Sequence, residues 1–255
     1  MPALRQLLLA LGLNVVPIAG VALGGWSLAT AMVLYWLENA LNAVLITITI
    51  YAHQRRTNKR GHWVDYTTES RRFGKFTRRQ GKMPFYKVFL LQAGLFTLAH
   101  GAFLFLLIFM LQADIDPTSL RNGVIVVAGF QLFNFAFDLI GIQHKPYAWV
   151  KRVSAGALGR VVLIHLALIV GVMAGAQFFV PFAVMKLIAD VMSVVGNAVQ
   201  YKETDTPPAW LTPIMNRLRL GEDFAAYWAT DHKKKLEADA QDEEVITDIA
   251  VLKPR

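Results

Sequence analysis

Tyr35-Trp36-Leu37-Glu38-Asn39-Ala40-Leu41-Asn42 is the stretch whose reading decides the fold. It lies mid-way along an apolar run from Trp26 to Ala52, longer than the ~20 residues a helix needs to cross a bilayer. A carboxylate at that depth is costly, so it is kept only with a partner or a task. Tyr35, Glu38, Asn39 and Asn42 recur at i, i+3, i+4 and i+7 and therefore share one helical face. The rest of the chain is expected to surround this face and supply partners for it.

Working outward, the composition fits that expectation. The chain has 255 residues, 55% of them hydrophobic, gathered in several long blocks, the mark of a polytopic membrane protein. It has no cysteine, which excludes disulfides, iron–sulfur clusters, thiolate zinc sites and cysteine nucleophiles. The formal charge is +8, and its placement matters more than its sum, because bases beside spans fix orientation.

An apolar block from about Leu7 to Leu23 precedes the central run. A signal peptide is the rival reading, with Ala19-Gly20-Val21-Ala22 near a cleavage point, but a second span follows almost at once, which favours a first span. Asn14 and Pro17 are tolerable there if neighbouring helices satisfy the freed groups, and Gly20 and Gly24, four apart, permit close helix contact. From His53 to Lys87 eleven Lys or Arg are opposed only by Asp65 and Glu69. The positive-inside rule places this loop in the cytoplasm, attracted to anionic lipid. Nucleic acid is the weaker reading, since aromatic interleaving is thin.

Spans three to six are expected at about Phe85–Leu111, Asn122–Ile142, Leu158–Val180 and from Pro181 to Tyr201. Gly94 and Gly101 offer span three a small-residue stripe, and Gln92, Phe96 and His100 recur four apart. Gln131, Asn134 and Asp138 make a polar face on span four. The fold expected is all-α: a multi-pass inner-membrane bundle of six transmembrane helices (1–201, with a basic cytoplasmic loop at 53–84), both termini cytoplasmic. A cytoplasmic tail, 202–255, has one short helix near 210–219 and a second from Glu222 to Ala240, its last residues after Gln241 weakly ordered. Homo-oligomerisation stays open.

Depth counted at ~1.5 Å per residue puts Glu38 and His100 near mid-bilayer. Asp190 comes slightly lower, His165 lower still, and Asp138 and Arg160 within a turn of the inner edge. Tyr35, Glu38, Asn39, Asn42, His100, His165, Lys186 and Asp190 are the candidate ligand- or proton-binding residues. Glu38, His100, His165 and Asp190 form an N/O set that suits a divalent metal such as zinc, and the same groups can carry protons. The blander alternative is interhelical bonding: Glu38 with Lys186, Lys186 with Asp190, and Asp138 with Arg160 as a structural ion pair. No H-E-x-x-H, G-x-S-x-G, Walker or Rossmann fingerprint occurs.

Tyr35-Trp36-Leu37-Glu38-Asn39 resembles the Y-W-x-E-N signature of a family of uncharacterised prokaryotic six-span membrane proteins. Arg160 to His165 is similar to that family's later R-x4-H element, Lys186 to Asp190 to its final-span K-x3-D element, and Gly94-Leu95-Phe96 to its third-span pattern. There the family implies a further histidine near position 92, where this chain has Gln92. The resemblance spans about two hundred residues and implies location and residues to watch, but no reaction. Three roles follow as expectations: binding or transport of a small ligand, ion or proton at the polar layer; a metal-assisted membrane enzyme with Glu38 as base; or a structural and assembly protein.

Overall fold

The computed structural model describes residues 2–72, 75–159, 184–188, 190–191, 206–207, 209, 211–218 and 223–247; of these, the side chains of 2–6, 8–9, 68–72, 75–80, 211, 214 and 218 are left aside. The described elements are α1 (Pro2–Ala22), α2 (Leu28–Thr57), β1 (Trp63–Arg72), β2 (Lys75–Pro84), α3 (Phe85–Met110) and α4 (Pro117–Leu139). A helix over 147–159 (α5) and helical residues at 184–188 and 190–191 (α6) follow. Then come α7 (Leu211–Leu218) and α8 (Phe224–Glu243).

Among the described residues three helices, α2, α3 and α4, are each long and apolar enough to cross a membrane. α2 is the central one, packed against α1, α3 and α4. Its ends are set by local chemistry. The Ser27 hydroxyl caps its start by accepting from the Thr30 N–H at 3.1 Å. Asn58, at φ 42°, closes its last turn in the left-handed conformation that asparagine tolerates. Asp116 caps α4 with Pro117 as first helical residue, where a missing N–H costs nothing. Thr47 and Thr49 donate to the carbonyls of Ala43 and Leu45, satisfying their hydroxyls within α2.

α3 buries one stripe only, Phe89, Ala93, His100, Gly101 and Leu104. Leu91, Leu98 and Phe109 on its other sides stand 62%, 69% and 81% exposed. Ile125, Leu132 and Phe133 on α4 are likewise exposed. A contiguous apolar exterior of this extent suits hydrocarbon rather than water.

Two glycine expectations divide. Gly101 seats the Trp36 indole, whose Nε1 donates to the Thr97 carbonyl at 2.9 Å, so α2 and α3 approach closely there. Gly94 faces open space among the described residues. At Gly20 the Trp26 ring folds back over the backbone, a contact within the α1–α2 corner. That corner is tied to the 111–116 loop, Ser27 Oγ donating to the Asp114 carbonyl at 2.6 Å and Asp116 N–H to Thr30 Oγ1 at 2.9 Å.

The basic stretch differs from the expected loop. Residues 60–62 form a 3-10 turn, and 63–72 pair antiparallel with 75–84, Trp63 opposite Pro84 and Arg72 opposite Lys75. Trp63, Val64, Tyr66, Thr67 and Thr68 are strong strand formers. The register sets Asp65 opposite Lys82 and Glu69 opposite Arg78, so each acid of the stretch has a base across the ladder. Below the hairpin, Ala43, Ile46, Ile50, Phe89, Ala93, Tyr147, Val150 and Ala157 form a core joining α2, α3 and α5.

Candidate functional site

The middle of α2 meets α1 and α6 in a buried charged cluster. Lys186, 2% exposed, points its ammonium at three oxygens: Asn14 Oδ1 at 3.1 Å, Glu38 Oε1 at 3.2 Å and Asp190 Oδ2 at 3.1 Å. An ammonium has three N–H donors, so this set satisfies it completely. The Tyr35 ring lies 4.8 Å from Nζ, adding its negative face to the cage. Asn14 holds the arrangement together: its Nδ2 donates to Asp190 Oδ2 at 2.8 Å and to the Ala10 carbonyl at 2.8 Å, while its Oδ1 receives Lys186. All five side chains are buried.

Local sequence explains the convergence. Tyr35 and Glu38 are three apart on α2, and Lys186 and Asp190 four apart on α6, so each pair shares a helical face. The two pairings weighed as alternatives, Glu38 with Lys186 and Lys186 with Asp190, form together on one ammonium. α4 supports α2 from the side, Gln131 Nε2 donating to the Glu38 backbone carbonyl at 2.8 Å. Gln131 fixes the height of Glu38 without touching its carboxylate.

Asn39 turns to its own helix, donating to the Tyr35 carbonyl at 2.8 Å, and Asn42 is half-buried a turn further on. His100 is buried on α3, but Gln92 and Phe96 of the same proposed row are exposed, because eight residues rotate a helix by ~80° past two full turns. Among the described residues no three His, Asp or Glu side chains are grouped to hold a metal, so Glu38, His100 and Asp190 do not make such a set by themselves. The position a cation would take between Glu38 and Asp190 holds the Lys186 ammonium. His165 and Arg160 lie outside the described residues. Asp138, expected to face Arg160, has Oδ1 3.7 Å from Lys145 Nζ and Oδ2 3.3 Å from Asn134 Nδ2.

A second polar centre, not anticipated, sits where α2 meets the hairpin. His53 and His62, both fully buried, bond through Nδ1 and Nε2 at 2.7 Å. His53 Nε2 lies 3.0 Å from the Lys145 carbonyl, which can only accept, so Nε2 carries the proton. His53 Nδ1 must then accept from His62 Nε2–H, and His62 Nδ1 is a buried lone pair without a partner among the described residues. Burial first, then the His53 ring and the Lys59 ammonium, push His62 down to about 3. Tyr147 stacks edge-on against His62 at 4.8 Å, and burial followed by the Asp242 charge raises its hydroxyl well above its ordinary value.

The C-terminal segment docks beside this pair. Ile246 N–H donates to the Asn58 carbonyl at 3.0 Å, Asn58 Nδ2 to the Ile246 carbonyl at 2.6 Å, and Arg60 N–H to the Glu244 carbonyl at 2.7 Å. Glu244 and Ile246 are thus held by the backbone of 58–60, against the weak order expected after Gln241; residues 248–255 lie outside the described residues, and the free edge of an extended segment supplies the donors and acceptors. On α8 Phe224 is buried, whereas Tyr227 is exposed.

Chemically, the first cluster is a cage of Asn14, Glu38, Asp190 and the Tyr35 ring closed around the Lys186 ammonium. Neither a curated protein nor a solved structure matches the chain. Residues 1–208, which take in the cluster and stop short of α7 and α8, match the model of a family of unknown function, DUF6498, and the chain belongs to that family.

Proposed function

We propose that the chain is a multi-pass inner-membrane protein of six spans with both termini cytoplasmic, and that it binds or passes a proton or small cation at the level of Glu38. The observation that carries this is the Lys186 ammonium, fully buried and held by Asn14, Glu38 and Asp190 from three helices. Buried ion pairs are seldom worth their desolvation for stability alone. In a membrane such groups mark ion or proton paths more often than scaffolding. A proton placed on Glu38 or Asp190 removes one of the ammonium's anionic partners, so protonation and the hold of α6 on α2 are coupled.

The orientation rests on charge. The stretch between α2 and α3 carries eight bases, eleven over 53–87 with the adjoining helix turns, and the 112–116 loop between α3 and α4 carries none. The Y-W-x-E-N stretch is read as the signature of a six-span family, with Tyr35 and Glu38 as its working residues. Anionic lipid is the partner of the basic stretch. His100 and His165 enter as further titratable groups of the same layer.

The test is flux in proteoliposomes. Wild-type protein is expected to dissipate an imposed pH gradient, read by an internal pH dye, and Glu38→Gln and Lys186→Met to lower that rate at least tenfold while still eluting as folded protein. A rate indifferent to both substitutions removes the reading.

A further inference from the structure

At the hairpin end, α8 lays an acidic stripe on a basic surface assembled from separate elements. Asp239, Asp242 and Glu243 recur at i, i+3 and i+4 and share one face. Lys151 on α5 meets Asp239 at 2.9 Å and Asp242 at 2.5 Å. Burial works against the Lys151 charge, but the two carboxylates outweigh it and raise its pKa. Glu243 divides its carboxylate between Lys59 Nζ and the backbone N–H of Tyr147 at the start of α5. Arg60 takes Glu244 at 3.1 Å.

This contact is electrostatic rather than apolar. Phe224 is the buried residue of α8 and lies at its opposite end. The Lys151 and Arg60 side chains remain 40% and 52% exposed in their pairs. Pairs in contact with water are individually weak and are screened by salt. The acids also cover only part of the basic area. Arg55 and Arg56 stand exposed on the last turn of α2, and the hairpin sequence adds Arg71, Arg72, Lys75, Arg78, Arg79 and Lys82. Arg55, Arg56, Lys59 and Arg60 lie at the end of the apolar helix α2, where bases meet headgroups in a membrane protein. The acidic segment lies beyond the residues 1–208 shared with the family.

We propose that this surface binds anionic lipid headgroups and that the acidic end of α8 is its built-in competitor, so that docking of 239–246 and headgroup binding exclude each other. The inference uses the membrane placement given above, but not the role of the Glu38 cluster. Full-length protein in nanodiscs tests it by hydrogen exchange at the Arg60 and Ile246 amides, both of which are donated across the docked segment. In phosphatidylcholine these amides are expected to exchange slowly. With a third of the lipid replaced by phosphatidylglycerol they are expected to exchange at least tenfold faster. The variant Asp239→Asn/Asp242→Asn/Glu243→Gln is expected to exchange fast in both. Wild-type exchange that ignores lipid charge overturns the competition, and a triple variant as protected as wild type overturns the electrostatic latch. Glu38→Gln is expected to follow wild type here, so loss of flux and loss of the latch are separable; a chain that stays out of the nanodisc overturns the membrane placement and this inference together.

Discussion

Lys186 on α6 reaches Glu38 at the middle of α2 at 3.2 Å, across 148 residues of sequence. The contact explains why an acid survives in the centre of the most enclosed apolar helix. Glu38 is answered by a cation that is itself answered by Asp190 and Asn14. The same contact makes α6 depend on α2, since no residue of α6 alone satisfies more than one of the three ammonium protons.

Removing one partner of a buried pair leaves the other charge uncompensated, at a cost of ~3–5 kcal/mol. Lys186→Met strips both Glu38 and Asp190 of their cation and is expected to lower the unfolding free energy of the detergent-solubilised protein by about that amount, and Glu38→Gln, which leaves Lys186 paired with Asp190, by less. Adding Glu38→Gln and Asp190→Asn to Lys186→Met is expected to restore more than half of the loss. If the triple variant is instead as unstable as the single effects summed, the residues are not coupled.

Gly101 and Gly94 sit two turns apart on α3 and are expected to behave oppositely. A Cβ at 101 would stand 2.7 Å from Trp36 Nε1, forcing the indole off its bond to Thr97, so Gly101→Ala is expected to destabilise by ~1–3 kcal/mol as an overpacked contact. A Cβ at 94 meets nothing within 4 Å, so Gly94→Ala is expected to be neutral or to gain ~0.5–1 kcal/mol from helix propensity. Equal effects at the two positions, read from unfolding midpoints, would contradict the packing of α2 on α3.

Acid is expected to loosen the hairpin end through His62. Its imidazole titrates at 6.5 when exposed and is held at about 3 when buried. Above 6.5 both folded and unfolded chains carry it neutral, and its contribution is intact. As pH falls from 6.5 toward 3, the unfolded chain takes a proton that the folded chain refuses, so stability drops by up to ~1.4 kcal/mol per pH unit. The groups facing it, His53, Lys59 and Tyr147, include no carboxylate to reverse the sign. His62→Gln, which keeps a donor for His53, is expected to flatten the fall in midpoint between pH 7 and pH 5. An unaltered slope in that variant assigns the acid sensitivity elsewhere.

The helices were legible where hydropathy marks them. Hydropathy places span four from about Asn122, whereas its Asp116 cap starts α4 at Pro117, and the Glu38 depression within an apolar run announces the buried site. What periodicity does not carry is the rotation of one helix about another. Gln92, Phe96 and His100 look like one row at spacing four, yet their drift around α3 leaves only His100 buried. Charge concealed the hairpin: the eleven bases of 53–87 suggest an open loop, while Trp63, Val64 and Tyr66 among them form a strand. His53 and His62 gave no signal, because their pairing depends on a 3-10 turn that brings 62 back beside 53. The segment past Gln241 seemed a frayed end, since its acids find their bases only in three dimensions.

Asn14 shows the same limit within the site and supports a sharper test. In sequence it is a polar residue tolerated in an apolar helix; in the fold it bonds Asp190 at 2.8 Å and Lys186 at 3.1 Å at once. It is therefore the residue through which α1 senses the charged pair. Asn14→Leu fills the space but leaves Asp190 without one donor and Lys186 without one acceptor, for a loss of ~1–3 kcal/mol for each group stranded. Asn14→Asp keeps the acceptor for Lys186 and loses the donor to Asp190, setting a third carboxylate against the first two. Its stability is expected to recover as pH falls and that carboxylate takes up a proton, which then donates where Nδ2 did. Asn14→Leu has no group to protonate and is expected to stay low at every pH. Unfolding midpoints of the two variants from pH 8 to pH 5 separate them, and parallel curves would mean that Asn14 fills space without completing the cage.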